Sequence, residues 1–309
     1  MPPVLPIRSI DNAIGLHQGL GRMGIPRAGR DSIVRMLKVV NNPGETGGRR
    51  ALAETLLRDH PAETQDNTLQ ERGIAIFKPG AFPHADEAVT DCRAAFLDFR
   101  KNSGNKGRPA HYKSDFLVSV FRSEDAVRYP DVMNFVLSEP MVQFVSRYFG
   151  EVPLLTDVSL KWSPRNDTLK ESQLFHRDGE DSRQLKLLLN VDEVTADHGP
   201  MVAVPAAASQ LVMNKLGYKT GRVDDDAVVR IAGKESLFNC AGPAGQVAAV
   251  DTSRCLHYGS RGNSKDRLVL FIQFVRYLVP KQNTVSWPST IAPLLAKLNP
   301  AQRRILNFT

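Results

Sequence analysis

The second half of the chain is a succession of short apolar runs that Gly, Pro, Asn and Asp residues separate. From residue 153 onward the runs follow one another, and segments with helical periodicity are few. They read LLTDVSLKW, QLKLLLNV, PMVAV, GQVAAVD and RLVLFIQFVRYLV. Runs of β-branched and aliphatic residues bounded by turn-forming residues are typical of strands. The pattern therefore predicts a barrel or a sandwich of strands in this half.

The N-terminal residues 1–70 are expected to form a helical extension of that core. Asp31 is a plausible N-cap for a helix in SIVRMLKVV, because its carboxylate could accept a hydrogen bond from the first turn. A second helix is expected in RRALAETLLRD, residues 49–59. The pair Arg49 and Arg50, at its start, could meet an anion, but a solvated helix start is the favoured interpretation.

The core is expected to begin near Gly73, where GIAIFK predicts a strand. A helix follows in residues 85–101, whose apolar residues recur at helical spacing. Residues 132–150 also predict helix, divided at Pro140 because proline can begin a helix but not lie inside one. Gly150 is expected to end the second part.

The chain is therefore expected to consist of three parts. These are the extension 1–70, a β-barrel domain over 71–283 with an inserted loop 211–236, and a C-terminal helical segment 284–309. The inserted loop contains the acidic triplet Asp224–Asp226, which is interpreted as a solvated charge run rather than a cation site.

Composition narrows the classes of protein. The net charge is +7, but the basic residues are spread along the chain, so nucleic acid is a disfavoured partner. The three cysteines form no CxxC pair, which fits a reducing compartment. No apolar run is long enough for a membrane span, and the N-terminus lacks the pattern of a secretory signal. A cytoplasmic location is expected.

Two histidines and one aspartate form the candidate chemical centre. His176 and Asp178 form an HxD motif, and His257 follows at the end of a strand-like run. In an extended segment the first two side chains point to the same side, so both can contact one ion. Two imidazoles and one carboxylate are the ligands with which non-haem iron enzymes hold Fe(II) while leaving positions open. HxD alone is a weak signal, and its weight comes from this context.

Arg267 adds a site for an anion. It opens the apolar strand RLVLFIQFV, and a charge there requires a partner. The planar guanidinium could hold the far carboxylate of 2-oxoglutarate through two parallel hydrogen bonds. Arg261 is a rival anion binder, although its loop GSRGNSKD favours contact with solvent or substrate.

The segments that carry these residues resemble a known family. QLFHRDGEDSRQLKLLLNVDEVTADHGPMVAVP and DTSRCLHYGSRGNSKDRLVLFIQF are similar to the phytanoyl-CoA dioxygenase family of Fe(II)/2-oxoglutarate-dependent oxygenases. The resemblance implies a mainly β fold with flanking helices and a double-stranded β-helix (jelly-roll, cupin-like) core. It also implies Fe(II) held by His176, Asp178 and His257, 2-oxoglutarate held by Arg267, and O2 as the oxidant.

The resemblance further concerns Lys161 and a departure from the family pattern. Lys161 lies where many members have a polar residue on the strand before HxD, so it could contact 2-oxoglutarate or substrate; a surface lysine is the other interpretation. The Gly-Ser-His that many members have after the second strand is replaced by Ala206–Ala208. This departure concerns substrate choice more than iron binding.

The reaction implied is hydroxylation of an unactivated C–H bond in a small substrate, with release of succinate and CO2. Asp178 favours hydroxylation over halogenation, since such halogenases need the carboxylate absent to admit halide. Arg177, Arg183 and Lys186 could meet an anionic group of the substrate or face outward. The alternative is a non-catalytic, metal-binding β-barrel that acts as a binding module. A third hypothesis, from the positive charge, is action on nucleic acid or protein.

Overall fold

The computed structural model describes residues 13–62, 64–103, 116–280 and 284–309, which form eleven α-helices and nine β-strands. The helices are α1 (Ala13–Arg22), α2 (Arg27–Asn41), α3 (Glu45–Leu57), α4 (Thr64–Arg72), α5 (Ala85–Ser103), α6 (Pro130–Val136), α7 (Glu139–Phe149), α8 (Ala206–Lys215), α9 (Asp225–Ala232), α10 (Ala292–Leu295) and α11 (Pro300–Ile305). The strands are β1 (Ile74–Phe77), β2 (Val118–Phe121), β3 (Leu154–Ser163), β4 (Gln184–Asn190), β5 (Val202–Ala203), β6 (Phe238–Asn239), β7 (Val247–Asp251), β8 (His257–Tyr258) and β9 (Arg267–Val275).

The strands form two antiparallel sheets. The large sheet has the order β1-β7-β4-β9-β3-β2, and the small sheet has the order β6-β5-β8. Isolated bridges extend the small sheet, because His176 pairs with His257 of β8 and Phe175 pairs with Val223. The antiparallel sheets with flanking helices confirm the fold class expected from the sequence.

Strand β9 shows how the large sheet separates a helix-covered face from a face that carries the site. Successive side chains of a strand point to opposite sides. One set packs into the core shared with the helices: Leu268, Leu270, Ile272 and Phe274. The other set faces the small sheet or lines a cavity: Arg267, Val269, Phe271 and Gln273. The polar residues of an otherwise apolar strand are thus gathered on one face.

Helices cover the other face of the large sheet. Cys92 of α5, Met133 of α6, Phe144 of α7 and Ile305 of α11 are buried in the same apolar cluster as the helix-facing residues of β9. Burial of apolar surface is the main favourable term in folding, so this cluster fixes the sheet against the helices. The open face is left for chemistry.

The expected helices around the core are confirmed. The prediction for 85–101 corresponds to α5, and that for 132–150 corresponds to α6 and α7. Pro140 lies in the first turn of α7. Gly150 ends α7 in the left-handed region with φ of 68°, which glycine adopts without a steric penalty.

The expected N-cap role of Asp31 is wrong. Helix α2 begins at Arg27, four residues earlier, and Pro26 precedes it as the cap residue. Asp31 lies inside the helix, where its Oδ1 is 2.7 Å from His17 Nε2 of α1. The carboxylate therefore joins two helices instead of starting one.

The interpretation of Arg49 as solvated is also wrong. Its side chain is fully buried in α3. The guanidinium donates to Glu45 Oε1 at 2.8 Å and to the carbonyl oxygens of Val152 and Pro153 at 3.0 and 3.2 Å. Burial lowers the pKa of Arg49, whereas Glu45 raises it. The arginine thus ties the extension to the chain entering β3.

The segment 211–236, expected to be a loop, instead contains the end of α8 and all of α9. Asp224 is the N-cap of α9 and accepts a hydrogen bond from the backbone N–H of Ala227 at 3.1 Å. The domain boundaries near residues 70 and 283 stay predictions. In the described ranges, no helix has the length and apolar character needed to cross a membrane.

Candidate metal centre

The small sheet brings the two histidines together. His176 and His257 exchange backbone hydrogen bonds of 3.0 and 2.9 Å, so their side chains leave adjacent strands side by side. Their ring centroids are 4.3 Å apart. The backbone N–H of Asp178 donates to the carbonyl oxygen of Thr252 at 2.9 Å, which fixes the carboxylate beside them. Pairing across strands thus joins residues that are 81 positions apart in sequence.

The three side chains present ligand atoms to one point. One ligand atom from each of His176, Asp178 and His257 lies within 4.8 Å of the others. His176 Nε2 is 3.8 Å from Asp178 Oδ1, and His257 Nε2 is 3.9 Å from Asp178 Oδ2. The HxD motif and the distal histidine, separate in sequence, are therefore assembled as the sequence predicts.

The hydrogen bonds of the two rings define their tautomers. His176 Nδ1 lies 2.9 Å from the carbonyl oxygen of Leu174, and His257 Nδ1 lies 3.1 Å from that of Cys255. A carbonyl oxygen only accepts, so each Nδ1 carries the proton and donates. When such a ring is neutral, its Nε2 has the lone pair and lies toward Asp178, which is the state a metal ligand requires.

Burial and charge favour the same state. Burial, and then the neighbouring His257, lower the pKa of His176 to about 3, which keeps the imidazole neutral. Burial alone would raise the pKa of Asp178, but Lys186 and the two histidines outweigh it and hold this pKa far below its usual range. A neutral imidazole beside an ionised carboxylate fits a divalent cation.

Two donors share one oxygen of Asp178. Lys186 Nζ lies 2.5 Å from Oδ2, and Gln184 Nε2 donates to the same atom at 3.1 Å. Both donors lie on the site face of β4, two residues apart. Within the described ranges Oδ1 receives no such donor, so it is the oxygen left toward His176. Neither role was predicted from the sequence.

Arg267 is a buried cation in the same cavity. Only 5% of its surface is exposed, and its Nη2 donates to Ser260 Oγ at 2.5 Å. Burial lowers its pKa to about 10. No carboxylate of the described ranges lies within ion-pair distance. A buried guanidinium with one hydroxyl partner has donors left for an anion.

Ser260 is held in place by a polar network. Its backbone lies in the left-handed region with φ of 61°, which is uncommon for a residue with a side chain. Its carbonyl oxygen accepts from Gln173 Nε2 at 2.5 Å and from Asn166 Nδ2 at 3.3 Å. Strained backbone that the surroundings enforce is typical of functional sites. The sequence carries no signal for this role beyond proximity to His257.

A cavity of about 560 Å³ joins these groups. It is lined by the three candidate ligands together with Lys161, Lys186, Arg267, Asp157, Gln273, Met201 and Phe271, among others. Lys161 Nζ donates to Ser119 Oγ at 2.8 Å, and burial lowers its pKa. Lys161 therefore faces the cavity rather than the surface. The volume lies in the range of small-molecule sites.

Other residues singled out in the sequence lie elsewhere. Arg261 donates to both carboxylate oxygens of Asp225 and stacks on the ring of Tyr258, so it is engaged rather than solvated. Arg183 donates to the carbonyl oxygen of Tyr148 at 2.6 Å. Arg177 lines two neighbouring cavities instead of the main one.

His198 and Ala206–Ala208 lie in a turn and at the start of a helix. His198 Nδ1 accepts from the backbone N–H of Thr195 at 3.0 Å, so this histidine belongs to a turn. Residues Ala206–Ala208 form the first turn of α8. They are absent from the lining of the main cavity.

Comparison with solved structures places the fold among proteins that bind iron and 2-oxoglutarate. EctD from S. alaskensis with bound Fe has a TM-score of 0.51 at 17% identity, over 74% of this chain and 81% of that chain. EctD with 2-oxoglutarate and 5-hydroxyectoine gives 0.50 at 14% identity, over 71% and 77%. The apoform gives 0.51 at 16% identity, over 71% and 78%. No family model and no curated protein sequence matches the chain. The likeness establishes a shared fold, with the double-stranded β-helix core expected from the sequence.

Proposed function

We propose that the protein is an Fe(II)- and 2-oxoglutarate-dependent dioxygenase that hydroxylates a C–H bond of a small substrate. One observation carries the proposal. Two imidazoles and one carboxylate converge in a cavity that also holds a buried arginine, which has no carboxylate partner among the described residues. A facial set of two histidines and one carboxylate is the arrangement of non-haem iron oxygenases. The fold shared with EctD, whose structures hold Fe and 2-oxoglutarate, supports it.

His176, Asp178 and His257 would hold the iron. The donor set fits, because the imidazole of His176 is neutral, Asp178 is ionised, and both histidines present Nε2 toward Asp178. Iron, when bound with 2-oxoglutarate, would supply the activation of O2 that yields succinate, CO2 and a hydroxylated product. Imidazole and carboxylate also suit other divalent metals, so a purified sample could contain nickel or zinc.

Arg267 would hold the far carboxylate of 2-oxoglutarate. Its side chain lies on the site face of β9, and Ser260 orients the guanidinium from one side. A charge-assisted pair with a carboxylate would supply the partner that the buried guanidinium lacks. The chain itself therefore provides a buried anion site in the cavity.

Lys161 would hold a second anionic group. Its partner in the described ranges is the hydroxyl of Ser119, so an ammonium with remaining donors faces the cavity. The group could be a carboxylate of 2-oxoglutarate or an anionic part of the substrate. Leu117, Met201 and Phe271 give the remaining wall apolar surface. A small substrate with one anionic and one apolar part fits this lining.

The test is anaerobic binding of Fe(II) and 2-oxoglutarate, followed by a substrate panel scored by succinate release. Removal of an outer partner of a metal ligand typically lowers metal affinity or activity roughly 10–100-fold. Asp178→Ala removes a ligand itself, so its rate of succinate release is expected to fall by more than that. Asp197→Ala removes an exposed carboxylate and is the matched control. If the wild type neither binds 2-oxoglutarate nor releases succinate, the proposal is wrong.

A non-catalytic binding module is the second candidate. The observation in its favour is the ammonium of Lys186 on Asp178, which satisfies the carboxylate without any metal. Under this hypothesis small anions would bind at Arg267 with equal affinity in the wild type and in Asp178→Ala, and no succinate would form. Metal-dependent binding of 2-oxoglutarate would exclude it.

A further inference from the structure

Lys186 occupies an unusual place for a lysine. Its Nζ lies 2.5 Å from Asp178 Oδ2, and the two side chains are 20% and 14% exposed. The pair is thus largely removed from water, where charges interact more strongly than at a surface. Within the described ranges no other lysine or arginine lies within 4.0 Å of the Asp178 carboxylate.

The fold holds the ammonium there. Lys186 lies between β7 and β9, opposite Val250 on one side and Gln273 on the other. Its neighbours in sequence, Leu185 and Leu187, point into the helix-side core and fix the orientation of the strand. Because side chains alternate, Lys186 must point toward the site.

A neutral donor and a cation act differently on a metal site. Gln184, which donates to the same oxygen, orients Asp178 without adding charge. Outer partners of this kind support ligands, and their loss typically weakens metal binding. An ammonium on the same carboxylate also offsets its negative charge and repels an approaching divalent cation. The two effects predict opposite results when the charge is removed and the donor is kept.

We propose that Lys186 is a competitor, built into the chain, for the metal at Asp178: it holds the carboxylate when metal is absent and lowers the affinity of the site for divalent cations. The inference rests on the proposed function, because it takes His176, Asp178 and His257 as the metal ligands. It makes occupancy of the site depend on the free metal concentration. Lys186 is a positioning residue in this role.

The test is a titration with Mn(II), in which free Mn(II) is followed by its electron paramagnetic resonance signal, without substrate or turnover. Lys186→Gln keeps a donor and removes the charge, and we expect Mn(II) to bind about tenfold tighter or more. Lys186→Arg keeps the charge and is expected to bind no tighter than the wild type. Lys265→Gln removes an exposed lysine charge that does not line the cavity; it is the matched control and is expected to leave Mn(II) affinity unchanged.

The outcomes separate the inference from the proposed function. Equal or weaker Mn(II) binding by Lys186→Gln, with wild-type binding that Asp178→Ala abolishes, overturns the inference and leaves the metal site intact. If the wild type binds Mn(II) no better than Asp178→Ala does, the three residues are not a metal site. Both the proposed function and the role of Lys186 are then wrong. Circular dichroism checks folding, and Lys186→Met replaces Lys186→Gln if the amide variant fails to fold.

Discussion

Replacement of Arg267 by methionine should weaken 2-oxoglutarate binding and stabilise the ligand-free protein at the same time. Arg267 is almost fully buried, with Ser260 as its one hydrogen-bond partner in the described ranges. A buried charge that serves to bind a ligand lowers the stability of the protein when the ligand is absent. Methionine is an unbranched side chain without charge, so it removes both the anion site and the free-energy cost of burying a charge.

The magnitude of each effect follows from the burial of the guanidinium. Loss of one partner of a buried charge pair costs roughly 2–5 kcal/mol, so 2-oxoglutarate should bind roughly 30- to 5000-fold more weakly. Burial lowers the pKa of Arg267 from 12.5 to about 10, which corresponds to a cost on the order of 3 kcal/mol for the charged form. The variant also loses the hydrogen bond to Ser260, which lowers the free energy of unfolding by about 1 kcal/mol and offsets part of this gain. A net stabilisation of about 2 kcal/mol is expected.

Two assays check this pair of effects. Isothermal titration with 2-oxoglutarate under anaerobic conditions, with Mn(II) present, gives the affinity. Urea unfolding of the metal-free, ligand-free protein gives the free energy of unfolding. Arg267→Lys keeps the charge but loses the planar fork, so its affinity for 2-oxoglutarate should lie between those of the wild type and Arg267→Met.

Arg261→Met is the matched control. Arg261 pairs with Asp225 and lies outside the main cavity, so its loss should destabilise the protein and leave 2-oxoglutarate affinity within about twofold. The reasoning is refuted if Arg267→Met binds 2-oxoglutarate like the wild type. It is equally refuted if Arg267→Met is less stable than the wild type, since the buried charge would then have a partner in the free protein.

Other predictions concern the groups around the site and the extension. Ser260→Ala removes the hydroxyl that orients Arg267 and should weaken 2-oxoglutarate binding roughly 5- to 10-fold in the same titration, whereas Ser209→Ala, also a buried serine, should not. Burial, and then Arg49, lower the pKa of Lys38 from 10.5 to about 8. The unfolded chain therefore holds the Lys38 proton at pH values where the folded protein has lost it, so stability from this group rises between pH 8 and 10.5. Between pH 7 and 9.5 the wild type should gain about 2 kcal/mol relative to Lys38→Met in urea unfolding; an equal pH dependence of the two proteins would contradict the assignment.

The sequence predicted the parts of the structure that local patterns govern. The apolar runs of β9 and β4 and the turn residues between the runs indicated the strands, and Pro140 and Gly150 marked helix ends. The HxD motif with a distal histidine indicated which residues meet at the candidate metal site, because strand pairing brings the ends of such runs together. These features depend on periodicity and residue type, which can be read from a single chain.

The errors concern charges whose environment depends on tertiary packing. Arg49 begins a short amphipathic run and would be solvated on an isolated helix, but α3 packs against α7 and α11 and buries it among carbonyl oxygens. Asp31 has the residue type of an N-cap, yet Pro26 with its fixed φ begins the helix earlier. In both cases the local preference is real and a neighbouring segment overrides it.

Lys186 shows why the residues around a ligand are harder to predict than the ligand. Nothing in QLKLLLN distinguishes a lysine that faces the site from one on the outer surface, because a shift of register by one residue exchanges the two faces. The register is fixed by β7 and β9, which lie more than 60 residues downstream. Metal ligands are limited to a few residue types and so stand out in a sequence, whereas any donor can support a carboxylate. The charge of the candidate metal site is therefore defined by pairing between distant strands.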